Sequence, residues 1–265
     1  MLTFYKKNGV ADMKNKIIFI SGANSGIGKA CAEKFAENGA RLILCSRDIE
    51  KLIKVADGIN KKYGTEILTY QLDVRDREKV ATVISELPKK WQKIDILINN
   101  AGGALGLEKF QEGSADDWDE MIDSNVKGLL YLSRNILPLM IKNTKGHVIN
   151  IGSIAGVAAY PNGAVYCGVK AAVRLISDGI RMDTVDTPVR VTNIQPGLVE
   201  TNFSVVRFHG DKERAKKVYR GLKALTAGDI ADLVYYAANV PAHVQICEVT
   251  VTPTAQASAT VVHKK

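Results

Sequence analysis

Three glycines separate an apolar run from a helical pattern near the start of the chain. Residues 17–21, IIFIS, are apolar in succession, as in a strand that is buried on both faces. The next motif, SGANSGIG, contains Gly22, Gly26 and Gly28, and the apolar residues that follow recur at helical spacing. A second apolar run, RLILC at 41–45, completes a strand–helix–strand unit.

This glycine-rich turn predicts a dinucleotide-binding site. Glycine permits the dihedral angles of the turn, lets the backbone approach a pyrophosphate and allows the helix to pack closely. The helix N-terminus supplies unpaired N–H groups and a positive dipole. We therefore expect the cofactor contacts of the turn to come from Gly22, Asn24, Ser25, Gly26, Ile27 and Gly28.

Strands and helices alternate along the rest of the chain, which is typical of the α/β class. We predict a single Rossmann-type domain over 13–252, with a doubly wound parallel sheet and helices on both faces. Residues 1–12 are interpreted as an N-terminal extension and residues 253–265 as a C-terminal tail. A long helix is predicted near 116–142, and its Pro138 should bend or interrupt it.

Composition excludes several classes of protein. The net charge is +8, but basic and acidic residues are interspersed and no recognition motif accompanies them, so we expect no nucleic-acid partner. No apolar run approaches the roughly 20 residues of a membrane helix, and the start of the chain lacks the apolar core of a signal peptide. We expect a cytoplasmic protein with no membrane association. No metal site is expected, because no histidine lies at ligand spacing from the four dispersed cysteines, Cys31, Cys45, Cys167 and Cys247.

The end of the second strand predicts which dinucleotide is bound. An acidic residue there would bind the ribose hydroxyls and repel a 2′-phosphate, whereas this chain has Ser46 followed by Arg47. We therefore predict NADP(H); the alternative is that Arg47 is a solvated charge partly cancelled by Asp48. Asp73, at the end of the third strand, is predicted either to accept a hydrogen bond from the adenine amino group or to be a helix-capping or turn aspartate.

A serine, a tyrosine and a lysine predict proton transfer beside the cofactor. Tyr166 and Lys170 lie one helical turn apart, and Ser153 ends the strand before that helix, at the sheet edge where ligands bind. The ordinary pKa of tyrosine, about 10, is too high for a base at neutral pH, but a nearby ammonium lowers it. Tyr166 is thus a candidate general acid and base, and Ser153 a candidate donor to the substrate oxygen.

Together these motifs resemble the short-chain dehydrogenase/reductase family over nearly the whole chain. The resemblance includes NNAG at 99–102, DSNVKG, YCGVK and QPGLVET at 195–201, while Ser21 replaces the usual threonine. It implies the catalytic tetrad Asn125, Ser153, Tyr166 and Lys170, with Asn125 holding a water in a proton relay. It also implies further cofactor contacts from Val74, Asn99, Ala101, Gly102, Tyr166, Lys170, Pro196, Gly197, Val199 and Thr201.

Within the family, the segments around 87–110, 116–141 and 197–211 are similar to NADP-dependent 3-hydroxy acid dehydrogenases that also oxidise serine and L-allo-threonine. This resemblance implies reversible oxidation of the 3-hydroxyl of small hydroxy acids or amino acids, by a homotetramer. Two alternatives remain open: a reductase of another carbonyl class, such as a sugar, a steroid or an acyl thioester, and a protein that senses NADP without turnover.

A small carboxylate substrate needs a cationic or amide partner. Arg207 is our candidate, because guanidinium binds carboxylate with two parallel hydrogen bonds. Ser153 and Tyr166 would be the other substrate contacts. Residues 198–220 contain many charges and are predicted to form a lid. The alternative for Arg207 is a surface salt bridge.

Overall fold

Seven parallel strands form one sheet in this computed structural model, which describes residues 13–265. Neighbouring strands follow the order β3-β2-β1-β4-β5-β6-β7, and every pair is parallel. The order reverses between β1 and β4, which makes this point the ligand-binding crevice of a doubly wound sheet. The strands are β1 (Ile17–Ser21), β2 (Arg41–Ser46), β3 (Ile67–Gln71), β4 (Ile96–Asn99), β5 (Gly146–Ile151), β6 (Val189–Pro196) and β7 (Glu248–Val251).

The helices connect the strands and cover both faces of the sheet. They are α1 (Gly26–Glu37), α2 (Ile49–Tyr63), α3 (Arg77–Ser85), α4 (Ala115–Ile122), α5 (Gly128–Lys142), α6 (Ala164–Asp183), α7 (Phe203–Arg207), α8 (Lys212–Tyr219) and α9 (Ala227–Asn239). One apolar layer packs α1, α2 and α9 against the sheet, and the other packs α3, α5 and α6 against the opposite face. The predicted single Rossmann-type domain is therefore confirmed.

The predicted long helix is divided, but not at its proline. A wide π turn, Asp123–Lys127, separates α4 from α5, and α5 continues through Pro138. Pro138 and Arg134, one turn before it, are both exposed, so water can reach the carbonyl group that loses its hydrogen-bond donor. The interruption expected at Pro138 is therefore not found.

Two segments outside the sheet lie together at the carboxyl end of the strands. Residues 198–220 contain the short helices α7 and α8. The 253–265 segment lies against them, since Lys265 N donates to Gly221 O at 3.0 Å and Lys264 Nζ donates to Val218 O at 2.8 Å. The interpretation of residues 1–12 as an extension lies outside the described residues. Between residues 13 and 265, no helix is long and apolar enough to cross a membrane.

Candidate active site

A deep cleft opens where the strands end at their carboxyl termini. Its volume is about 970 Å³, at the upper end of the roughly 300–1,000 Å³ of small-molecule sites. The cleft is lined by the turn after β1, by the segments after β2 to β6, and by residues of α4, α6 and α7. Of the predicted cofactor residues, it is lined by Gly22, Asn24, Ser25, Gly26, Ile27, Ser46, Arg47, Asp73, Val74, Ala101, Gly102, Tyr166, Lys170, Pro196, Gly197, Val199 and Thr201.

The glycine turn has the conformation that a dinucleotide site requires. Gly22 and Gly26 have positive φ angles, +64° and +53°. A Cβ at Gly28 would lie 2.4 Å from Gly22 O, so Gly28 allows close packing under the turn and does not itself line the cleft. Ser25 makes no side-chain cap hydrogen bond, which leaves the first N–H groups of α1 for an anion. These residues fit a pyrophosphate.

Ser21 and Asn100 fasten this turn to the end of β4. Ser21 Oγ accepts hydrogen bonds from Asn100 N and Ala101 N, both at 3.0 Å. In return, Asn100 Nδ2 donates to Ser21 O at 2.9 Å and to Gly22 O at 3.1 Å. Serine in place of threonine at position 21 keeps the hydroxyl that accepts these bonds. The NNAG motif contains Asn100, but the sequence alone did not distinguish its role from that of Asn99.

Asn99 lies in the core and not on the cleft. Its Nδ2 donates to Asn150 Oδ1 at 2.9 Å and to Ser133 Oγ at 3.0 Å. The side chain is 5% exposed and does not line the cleft. Successive residues of a strand point to opposite faces, and position 99 falls on the face that is covered by α5. The expected contact between Asn99 and the cofactor is not supported.

Charged side chains surround the end of the cleft formed by β2 and β3. Arg47 Nη1 lies 2.8 Å from Glu120 Oε1, while Asp48 caps α2 by accepting from Lys51 N. Asp73 Oδ1 accepts from Arg75 N and Nε at 3.0 Å and 2.9 Å, which is the turn role predicted as the alternative. Burial raises the pKa of Asp73, but the hydrogen bonds and charge of Arg75 outweigh it, so this pKa lies below its ordinary value.

The proton-transfer residues converge on the other half of the cleft, where Ser153, Tyr166 and Lys170 all line it. Ser153 follows β5, and its Oγ accepts from Ala155 N at 3.1 Å, so its hydroxyl proton can be donated to the phenol oxygen or to a ligand. Tyr166 and Lys170 lie in the first two turns of α6. Lys170 Nζ donates to Ile151 O at 3.0 Å and lies 5.9 Å from the centroid of the Tyr166 ring.

Burial dominates the electrostatics of this pair. Burial raises the pKa of Tyr166 well above its ordinary value, although hydrogen bonding to Ser153 and the charge of Arg207 act in the opposite direction. Burial also lowers the pKa of Lys170 to about 8. The phenol is therefore neutral in the cleft without ligands, and the lowering of its pKa by Lys170 stays a prediction.

Asn125 lies in the π turn behind the cleft. Its Nδ2 donates to Gly103 O at 2.9 Å and to Met121 O at 2.8 Å, and its buried Oδ1 has no hydrogen-bond partner within the described residues. A Cβ at Gly102 would lie 2.4 Å from this Oδ1. Asn125 does not line the cleft, so in this structure it fixes the 102–103 loop.

Arg207 enters the cleft from α7 and lies close to Tyr166. Its Nε donates to Gly106 O at 3.0 Å and its Nη1 to Tyr160 Oη at 3.1 Å. The guanidinium carbon is 5.6 Å from the centroids of both the Tyr160 and Tyr166 rings. No carboxylate pairs with Arg207 among residues 13–265, so the surface salt bridge that was the alternative is not found.

The 253–265 segment contributes to the cleft, which the sequence did not predict. Gln256 and Ala259 both line it. Gln256 Oε1 accepts from Leu198 N at 2.8 Å, and a Cβ at Gly197 would lie 2.3 Å from the same oxygen. The backbone after β6 is thereby held against the cleft.

A parallel sheet of this order, with a glycine turn and a Ser–Tyr–Lys constellation at its reversal point, defines an oxidoreductase of the dinucleotide-binding class. The profile of the short chain dehydrogenase family matches residues 16–212. The chain therefore belongs to the short chain dehydrogenases, oxidoreductases that act on CH–OH groups.

Particular relatives extend this similarity to almost the full chain. The NADP-dependent 3-hydroxy acid dehydrogenase YdfG of Salmonella typhi is 46% identical over 244 residues, covering 92% of this chain and 97% of that protein. The NADP-dependent 3-hydroxy acid dehydrogenase of Schizosaccharomyces pombe is 41% identical over 96% of this chain and 98% of its own length. The solved structure of the closed form of a serine dehydrogenase complexed with NADP+ matches with a TM-score of 0.89 and 42% identity. The match covers 94% of this chain and 100% of that one.

Proposed function

We propose that this chain is an NADP-dependent dehydrogenase that reversibly oxidises the 3-hydroxyl group of small hydroxy acids or hydroxy amino acids. 3-Hydroxypropionate, serine and L-allo-threonine represent the substrate class. The observation that carries the proposal is Arg207, a cation without a carboxylate partner among the described residues, 5.6 Å from the ring of Tyr166. A hydroxyl at Tyr166 and a carboxylate at Arg207 fit the two ends of one small molecule.

The carboxylate end would bind at the guanidinium. Arg207 Nε and Nη1 are used by Gly106 and Tyr160, which fixes the plane of the group. Its Nη2 makes no hydrogen bond to residues 13–265 and is therefore open to a carboxylate oxygen. The similarity to proteins named for 3-hydroxy acids and serine supports the same class of substrate.

The hydroxyl end would react at Ser153 and Tyr166. The chemistry supplied by NADP+ when it is bound is acceptance of a hydride from the carbinol carbon. During oxidation, Tyr166 Oη takes the hydroxyl proton while Ser153 Oγ donates a hydrogen bond to the substrate oxygen. In the reverse direction, Tyr166 returns the proton to the carbonyl oxygen. The Lys170 ammonium favours the phenolate that oxidation requires, against the burial that disfavours it.

The preference for NADP(H) follows from Ser46, which ends β2 at the position where an acid would bind the ribose hydroxyls of NAD(H). Ser46 donates to Asp48 O at 2.8 Å, and Arg47 beside it is the cation that would attract a 2′-phosphate. The Arg47→Asp variant should raise KM for NADP far more than KM for NAD. Equal changes in the two constants would contradict this assignment.

A substrate panel tests the proposal directly. NADP-dependent oxidation of serine, L-allo-threonine, 3-hydroxypropionate and 3-hydroxyisobutyrate is measured against a sugar, a steroid alcohol and an acyl thioester alcohol. Activity on the first group alone supports the proposal. Activity on the second group alone would assign a different reductase of the same family, and NADP binding without any turnover would indicate a sensor.

We also propose that the protein is a cytoplasmic homotetramer. Two helices leave large apolar side chains exposed, which suits burial against other subunits: Leu130 (40%) and Ile141 (40%) on α5, and Leu175 (65%) and Met182 (72%) on α6. Light scattering coupled to size exclusion chromatography should give the mass of four chains. A monomer at micromolar concentration would contradict this state.

A further inference from the structure

Two arginines converge on one carboxylate at the end of the cleft that carries Ser46 and Arg47. Arg47 Nη1 lies 2.8 Å from Glu120 Oε1, and Arg75 Nη1 hydrogen-bonds the other oxygen, Oε2. The three side chains come from different elements: Arg47 follows β2, Arg75 follows β3, and Glu120 belongs to α4. All three line the cleft.

We infer that Arg47 and Arg75 together bind the 2′-phosphate of NADP(H), and that Glu120 is an internal anion that competes for them. This inference rests on the cofactor of the proposed function. The carboxylate of Glu120 accepts hydrogen bonds from both guanidinium groups, so two donors for an anion already lie together at this position. A phosphate monoester has three terminal oxygens, so one group can accept from both arginines.

Arg75 is oriented independently of Glu120. Its Nε contacts both oxygens of Asp73, at 2.9 Å and 3.0 Å, and its Nη2 lies 2.5 Å from Asp73 Oδ2. This bidentate pair keeps the guanidinium in place when Nη1 exchanges one anion for another. Arg75 is therefore the arginine whose orientation is fixed. Arg47, whose side chain is 62% exposed, is the one free to move.

The charge balance explains why Glu120 opposes the phosphate. Two arginines and two carboxylates make the cluster neutral, and a 2′-phosphate would add roughly two negative charges. A phosphate can replace Glu120 at Arg47 because the exposed contact between Arg47 and Glu120 is weak. An exposed ion pair of this kind changes an equilibrium constant by roughly two- to fivefold. NAD has no phosphate at this position and does not displace Glu120. Glu120 thus reduces the preference for NADP over NAD.

Glu120→Gln and Arg75→Gln are the variants that test this inference. The matched control is Asp119→Asn, which removes the same charge from an exposed neighbour of Glu120 that contacts neither arginine. Dissociation constants are measured by calorimetry for NADP+ and NAD+, and for the fragments 2′,5′-ADP and 5′-AMP. Thermal unfolding curves establish that each variant is folded.

We expect Glu120→Gln to tighten NADP+ and 2′,5′-ADP by about two- to tenfold while NAD+ and 5′-AMP change by less than about twofold. Arg75→Gln should weaken the two phosphate-bearing ligands selectively, and Asp119→Asn should have a smaller effect than Glu120→Gln. Weaker NADP+ binding in Glu120→Gln, or equal changes for NADP+ and NAD+ in either variant, would overturn the inference. If the unmodified protein binds neither dinucleotide, the proposed function fails as well.

Discussion

The ammonium of Lys170 lies 5.9 Å from the centre of the Tyr166 ring and is hydrogen-bonded to Ile151 O at 3.0 Å. Both side chains are buried, each 8% exposed, so the protein disfavours the charged form of each. Burial raises the pKa of Tyr166 and lowers that of Lys170 to about 8. The neutral phenol is therefore the stable form, and it is the form that donates a proton to a carbonyl.

These pKa shifts predict opposite pH profiles for the two directions of the reaction. Oxidation needs the phenolate, whose fraction rises about tenfold per pH unit below a raised pKa. We therefore expect kcat/KM for oxidation to rise from about pH 6 to about pH 8 and to flatten above it, where Lys170 loses its proton. Reduction uses the neutral phenol, so its kcat/KM should be constant up to about pH 8. It should fall above about pH 8, where Lys170 loses its proton. Oxidation that is flat or falling between about pH 6 and pH 8 would contradict this mechanism.

Removal of the Tyr166 hydroxyl tests the general acid and base. Tyr166→Phe should lower kcat by roughly 10²- to 10⁴-fold with little change in the dissociation constant of NADP, because the ring still fills its place. Tyr160→Phe is the matched control, since it removes a second phenol from the same cleft. Its kcat should fall much less. If the two variants lose activity equally, Tyr166 has no special role in proton transfer.

Arg207 is expected to determine selectivity for carboxylates. Arg207→Ala should raise KM for a 3-hydroxy acid by about 10- to 100-fold, because hydrogen bonds to charged groups contribute about 1.5–3 kcal/mol. KM for a neutral alcohol of similar size should change little. Arg214→Ala serves as the control, since Arg214 stacks on Phe208 and does not line the cleft. An unchanged KM for the acid, with NADP binding intact, would exclude the carboxylate role.

The sheet could be predicted because a parallel strand is covered on both faces. The runs IIFIS and RLILC are nearly or wholly buried in β1 and β2, so their apolar character is continuous and easy to find in the sequence. The glycine turn was predictable for a related reason. Positive φ angles at Gly22 and Gly26 require glycine, and the requirement is local to a few residues.

Individual side-chain contacts between distant residues could not be predicted. Arg75 and Glu120 are 45 positions apart, and the partners Arg207 and Tyr160 are 47 apart. Only the folded sheet edge brings each pair together. The π turn at Asp123–Lys127 was also missed, because one wide turn barely changes the apolar periodicity of the helix around it. The burial of Tyr166 could not be predicted for the same reason as the distant pairs, because the residues that cover it, such as Phe203, come from other segments.

Gly28 should be essential for stability because of its contact with the turn. A Cβ there would lie 2.4 Å from Gly22 O and 2.5 Å from Asn100 Nδ2, so the backbone must shift. We expect Gly28→Ala to reduce the free energy of unfolding in urea by about 1–3 kcal/mol. Gly58→Ala, in the exposed part of α2 with no atom within 4 Å, should instead add about 0.5–1 kcal/mol. Equal effects of the two variants would contradict the packing role.

Substitution of Asn125 should destabilise the protein, because the side chain is a hydrogen-bond donor to the backbone. A substitution that adds a carboxyl group should also make the stability depend on pH. Its Nδ2 faces two carbonyl oxygens, Gly103 O and Met121 O. Asn125→Ala leaves these oxygens unpaired, at about 1–3 kcal/mol. Asn125→Asp keeps the volume but turns an acceptor toward both carbonyls, in a site that is 2% exposed. An ionised carboxylate there is strongly disfavoured, so the pKa of the new acid should lie above its unfolded value of about 3.9.

The two Asn125 variants should therefore differ in pH dependence. An acid whose folded pKa is raised is protonated more in the native state than in the unfolded state, so stability falls as pH rises through the interval between the two pKa values. We expect the free energy of unfolding of Asn125→Asp, relative to the unmodified protein, to decrease from about pH 5 to about pH 7.5. That of Asn125→Ala should stay constant over the same range, because it adds no titratable group. Parallel behaviour of the two variants would mean that water reaches position 125 and that the π turn opens readily.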